Sequence, residues 1–157
     1  MLAPRPRLGR VAPAFDCETA HVQQARSNDA DSKGVTVNYA NSAAIVAARA
    51  GKLLPDGSAI LVVSYAAQLD AAGQPAVDAG GKWQPGKVLP YSGMESRADW
   101  GKDIPEVLRN GNWHYGLWAG NGTPRIGARQ PRCLACHRAK MSDSYVFTLE
   151  AMRGALK

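Results

Sequence analysis

Cys133-Leu134-Ala135-Cys136-His137 sets two thiols three residues apart, with an imidazole directly after the second. That spacing is the attachment pattern of a c-type haem. Each thiol adds across one vinyl group, and the helical turn between them delivers the imidazole to one face of the iron. Cys133, Cys136 and His137 are therefore the candidate cofactor-binding residues for one covalently attached haem c, with His137 as proximal iron ligand. Two other chemistries use Cys-x-x-Cys. A closed zinc site needs further thiol or imidazole ligands at tight spacing, and the remaining Cys17, His21 and His114 stand alone. A thioredoxin-like pair belongs near the start of a helix in an early βαβ unit. Here only residues 138–157 follow the motif.

Upstream of the motif the chain reads as sheet. Leu54-Pro55-Asp56-Gly57-Ser58 is a turn in which Pro presets φ and Gly supplies positive φ. It launches Ala59 to Ala66, whose continuous Ile60-Leu61-Val62-Val63 predicts a central strand buried on both faces. Val35 to Tyr39 alternates and predicts a strand, and Asn41 or Ser42 caps a small-residue helix over Ala43 to Ala50 that Gly51 ends. Lys87 to Tyr91 predicts a short strand, Asn112 to Ala119 an aromatic strand, and Asn121-Gly122 a tight turn. Around the motif, residues 133 to 140 predict a helix, Ser144 to Thr148 an extended piece, and the stripe Leu149, Met152, Leu156 a last short helix. Before the first strand, Asp16 to Ala25 predicts a short helix and Ser27 to Gly34 a loop. Residues 1–15, rich in Pro and Arg, predict a flexible basic arm ahead of a single domain over 16–157.

The expected fold class is thus α+β: a mainly antiparallel sheet with short flanking helices and the haem on a C-terminal helix. A length of 157 residues suits one domain without disulfide staples, and no apolar run approaches a membrane span. The formal net charge is +6. Part of it flanks the motif as Arg125, Arg129, Arg132, Arg138 and Lys140, and an acidic redox partner protein fits such a basic haem edge. Nucleic acid is excluded as a partner class, because no aromatic-rich basic stripe accompanies the charge. Cys17 is left without a thiol partner in the chain once Cys133 and Cys136 are thioether-bonded.

The late motif separates the chain from the common helical cytochromes c, and residues 54–119 lack the helical periodicity of a four-helix cytochrome. The order of Leu54-Pro55-Asp56-Gly57-Ser58, Arg109-Asn110-Gly111-Asn112-Trp113, Cys133 to His137 and Asp143 to Thr148 resembles the cytochrome P-460 and cytochrome c′-β family over roughly residues 35–157. The resemblance implies an antiparallel sheet, flanking helices and a haem whose distal side is vacant. It implies binding of nitric oxide or carbon monoxide, or, in the P-460 branch, oxidation of hydroxylamine and nitric oxide by a haem oxidoreductase. It also implies a periplasmic or otherwise extracytoplasmic setting, although Met1 to Ala14 lacks the apolar core of a secretory signal. A homodimer is one of the assembly states left open.

P-460 enzymes resemble one another in a Lys cross-linked to the haem ring from the sheet upstream of the motif. The strand Ile60 to Tyr65 contains no Lys, and Lys52, Lys82 and Lys87 fall in turns or at strand ends. The weight therefore lies with uncross-linked, five-coordinate iron. Candidates for the distal face are Val63 and Tyr65 on the central strand, with Tyr91, Met94 and Glu95 in the next segment. Tyr91 and Glu95 are the candidate catalytic residues, able to hydrogen-bond a ligand or take its protons. Met94 is the alternative axial ligand, and His114 a lesser one; either would give six-coordinate iron suited to electron transfer. Ordinary core packing is the competing role for each of these side chains.

Overall fold

A computed structural model describes residues 22–30, 33–125 and 130–154. The expected arm over 1–15 and Cys17 lie outside the described residues. Strands β1 (Val22–Asp29), β2 (Gly34–Ala40), β3 (Ala59–Ala67), β4 (Pro85–Val88), β5 (Tyr91–Ser96) and β6 (Trp113–Trp118) form one sheet. Helices α1 (Ser42–Arg49), α2 (Gln130–Arg138) and α3 (Leu149–Gly154) complete the described elements, with 3-10 turns at Trp100–Asp103 and Met141–Asp143. The strand order is β1-β2-β3-β5-β6, with β4 also on β3, and every pairing is antiparallel. The fold is α+β, as the patterning predicts.

The apolar β-branched run makes β3 the centre of the sheet. One edge of β3 pairs along its length with β2, from Ala40↔Ile60 to Gly34↔Ala66. Its other edge is divided: Ala59–Val62 pairs with β5, while Tyr65 and Ala67 pair with β4. The break between β4 and β5 falls at Leu89-Pro90, where Pro90 has no N–H to give the ladder. The predicted single strand Lys87 to Tyr91 is therefore the junction of two strands.

A second departure lies at the start. Over the described residues the predicted helix to Ala25 and the loop from Ser27 give way to β1, which pairs with β2 from Val22↔Ala40 to Asp29↔Gly34 with a bulge between Gln23 and Ala25. Seven paired positions outweigh a weak local helix preference. Ser27, Asn28 and Asp29 are exposed on this edge strand, which is why they read as loop.

Strand alternation divides the core in two. On one face Val35, Val37, Leu61, Val63, Tyr65, Tyr91 and Trp118 pack together. Trp118 stacks on Tyr91 with ring centroids 5.6 Å apart, and its indole lies across Gly93 and Gly116. Any Cβ at Gly116 would enter the Trp118 ring. On the opposite face Ala40, Ile60, Met94 and Trp113 meet Ala44, Ile45 and Ala48 of α1 and Leu149 and Met152 of α3.

Side chains of two motifs lock the strand entries together. Asn41 Oδ1 accepts the Ala44 and Ala59 N–H groups, capping α1 and holding the start of β3. Asn41 Nδ2 donates to the Gly57 carbonyl. Asp56 accepts from Ser96 Oγ at 2.7 Å and from Asn112 Nδ2 at 3.0 Å, joining the turn before β3 to the end of β5 and the approach to β6. The two stretches quoted above as motifs are thus structural junctions.

Candidate functional site

The helical face of the sheet carries a cleft beneath α2. Its floor is Ile60 and Val62 of β3, Ser92, Gly93 and Met94 of β5, and Tyr115 and Gly116 of β6; Cys133 and His137 form the wall. It is a shallow cleft with a cavity volume of about 80 Å³, smaller than the roughly 300–1,000 Å³ of small-molecule sites. Cys133 and His137 share it because residues four apart lie on one helix face. Cys136 is rotated away from them and is exposed, while Cys133 is half-buried.

The imidazole of His137 is fixed on three sides. Its Nδ1 lies 2.7 Å from the Tyr145 carbonyl oxygen. A carbonyl only accepts, so Nδ1 carries a proton, and in the neutral ring this tautomer leaves the Nε2 lone pair free, as a metal ligand needs. The ring also meets Tyr115 at 4.8 Å and the edge of Phe147 at 5.0 Å.

The Tyr145 carbonyl reaches the imidazole through two consecutive left-handed residues, Ser144 at φ 57° and Tyr145 at φ 62°. The predicted extended piece from Ser144 is instead this turn. It is held by the Tyr145 N–H donating to the Lys140 carbonyl and by Ser144 Oγ accepting the buried Leu54 N–H at 2.9 Å. These bonds offset a backbone cost of about 1–2 kcal/mol per left-handed residue.

Asn110, fully buried, ties α2 to the sheet. Its Nδ2 donates to the Leu134 carbonyl at 2.8 Å and to the Tyr115 hydroxyl at 3.2 Å. Burial pushes the Tyr115 phenol up to about 12, Asn110 pulling it back and the neighbouring Cys133, Tyr145 and Cys136 raising it further. Tyr115 is thus neutral across the physiological range. Burial likewise raises the Cys133 thiol, against a lowering by the helix backbone and Arg132.

Of the distal candidates, Met94 lines the cleft with His137. Tyr91, Val63 and Tyr65 lie in the core of the opposite face. Glu95 shares the side of Tyr91 by strand alternation and holds Arg97 Nε at 2.6 Å. His114, paired across the strands with Glu95, has its Nε2 2.9 Å from the Trp100 carbonyl. Lys52, Lys82 and Lys87 are exposed and none lines the cleft. Sequence reading missed Asn110, Tyr115, Val62 and Ser92. The available signal was parity: Val62, not Val63, shares a face with Ile60, and the register brings Ser92 opposite Val62.

Among the described residues no three His, Cys, Asp or Glu side chains converge, so the Cys133–Cys136 pair gathers no closed zinc set there. The donors present suit a haem: two free thiols one helical turn apart, and an imidazole with its second nitrogen available over an apolar floor. A family model described as cytochrome P460 matches residues 16–148.

The chain belongs to the cytochrome P460 family. The match runs from ahead of β1 to Thr148, taking in β3, the Asn110 junction, α2 and the left-handed turn that anchors His137. Membership in the cytochrome P460 family implies a haem cofactor. A search of curated proteins gave no match. No helix among the described residues is long and apolar enough to cross a membrane.

Proposed function

We propose that this member of the cytochrome P460 family is a mono-haem c cytochrome that binds nitric oxide or carbon monoxide at five-coordinate iron in the cleft beneath α2. Cys133 and Cys136 hold the haem by thioether links, and His137 Nε2 is the proximal ligand. When bound, the haem supplies an iron centre that coordinates neutral diatomics. The chain's part is to fix the imidazole and keep water and charge away. The Tyr145 carbonyl orients His137, Asn110 holds its helix, and Ile60 and Val62 give the cleft an apolar floor.

The observation that carries this reading is the composition of that cleft. Among the described residues its lining includes neither a carboxylate nor a Lys. Oxidation of hydroxylamine requires a proton acceptor near the substrate, and among the described residues the hydroxyl-bearing side chains there are Ser92 and Tyr115. That none of the described lining residues is a Lys supports an uncross-linked haem over the P-460-type enzyme.

A second reading rests on Met94. Because Met94 shares the cleft with His137, a six-coordinate His/Met electron-transfer cytochrome is the alternative. A periplasmic or otherwise extracytoplasmic setting accompanies either reading.

Titrating the reduced protein with carbon monoxide tests the proposal. Gas binding predicts a saturable shift of the Soret band; no shift at saturating gas would contradict it. Reduction of an electron acceptor on adding hydroxylamine would restore the enzyme reading.

A further inference from the structure

The proximal side of His137 opens onto a surface that the gas-binding reading does not use. Phe147 sets its edge against the His137 ring at 5.0 Å, yet is 53% exposed. A large apolar ring in contact with a candidate iron ligand and half open to water is a direct bridge from that ligand to the surface. Met141, in the adjoining 3-10 turn, is 62% exposed. Lys140 lies over the Phe147 ring at 5.7 Å.

The sequence around this spot is mostly cationic, with Asp143 the one carboxylate between Val107 and Thr148. Between Val107 and Ser142 the chain has no Asp or Glu, while it carries Arg109, Arg125, Arg129, Arg132, Arg138 and Lys140. Arg132 and Arg138 are exposed on α2, beside the exposed Cys136. Among the described residues Arg138 reaches only a backbone carbonyl, that of Arg109 at 3.3 Å, and Lys140 meets Asp143 loosely at 3.6 Å. Exposed apolar side chains with Lys140 beside them and further exposed cations on α2 match small, transient redox encounters, in which charge steers association and contact area stays low.

We propose that the surface carrying Phe147, Met141 and Lys140, with Arg132 and Arg138 exposed on the neighbouring α2, is the docking surface for an acidic one-electron donor protein. The donor loses one electron and ferric iron gains it, with no bond made or broken in this chain. The inference rests on the haem being carried by Cys133, Cys136 and His137.

The test uses the haem-loaded protein and reduced flavodoxin, an acidic one-electron donor, in stopped flow. The second-order rate should fall steeply as salt is raised. It should also drop roughly tenfold or more in Arg132→Glu/Arg138→Glu/Lys140→Glu, with dithionite reduction retained. Lys87→Glu, exposed on β4, should leave it unchanged. In parallel, titration of oxidised flavodoxin, followed by backbone amide shifts, should perturb residues 138–148 in the parent and not in the triple variant. A rate indifferent to salt and to the triple change would overturn the proposal, as would binding to anionic phospholipid vesicles without binding to flavodoxin. Failure of dithionite to produce a reduced haem spectrum would count against the haem reading itself, and the amide titration would still decide the docking surface.

Discussion

His137 and Tyr145 are joined by a 2.7 Å contact between an imidazole Nδ1 and a backbone carbonyl oxygen, and the left-handed backbone of Tyr145 is what makes it reachable. Because the acceptor belongs to the main chain, side-chain choice acts on it only through φ. Tyr145→Gly should keep the contact, since Gly adopts positive φ freely. Tyr145→Val should strain it, β-branched residues being the least suited to this region. The expected difference between the two variants is about 1–2 kcal/mol in unfolding free energy, with a shifted iron–histidine vibration in Val only. Resonance Raman spectra and urea unfolding of both would check it.

Asn110 joins α2 to β6 through a buried amide. Asn110→Ala removes the donor to the Leu134 carbonyl and should cost about 1–3 kcal/mol. The loss should appear as a lower unfolding midpoint together with a broadened Soret band, because the helix that presents His137 is loosened. An unchanged Soret band with a lower midpoint would assign Asn110 to the fold alone.

Gly116 makes room for the Trp118 indole, which is buried. Gly116→Ala should therefore destabilise by roughly 1–3 kcal/mol, the cost of overpacking a filled core. The same change on an open strand surface would be nearly neutral. Denaturant unfolding, read by Trp fluorescence, measures it.

Tyr65 is fully buried, and burial, followed by its contact with the Tyr39 hydroxyl, raises its phenol well above the ordinary value of 10.0. Above pH 10 the unfolded chain gives up this proton while the folded chain retains it. The folded state then binds more protons, so stability falls as pH rises. Tyr65→Phe should flatten that fall between about pH 9 and 11, as followed by unfolding at each pH.

Much of this architecture was legible in the residues. The Ile60–Val63 run, the turn before it and the aromatic strand led to the antiparallel sheet, and Asn41 marked the start of α1 as the cap it is. The region 22–29 was not legible, since an edge strand with polar residues lacks the apolar alternation that reveals strands, and its partner β2 supplies the order. The pairing of His137 with a particular cleft was legible only in part. The motif named the imidazole, but which side of β3 and β5 faces it depends on register. That is why Tyr91 and Glu95 stood beside Met94 as candidates although alternation sends them to the other face. The left-handed turn at Ser144 and Tyr145 was hidden for another reason: neither residue is Gly or Asn, and tertiary bonds to Leu54 and Lys140 hold the turn there.

Gas binding requires an open coordination position on the iron held by His137, and Met94 in the same cleft is the residue that would close it. The most direct measurement is the ferrous visible spectrum of the parent protein and of Met94→Leu, recorded without added gas. A five-coordinate high-spin Soret band, the same in both proteins, is expected. A low-spin six-coordinate band in the parent that becomes high-spin in Met94→Leu would contradict it.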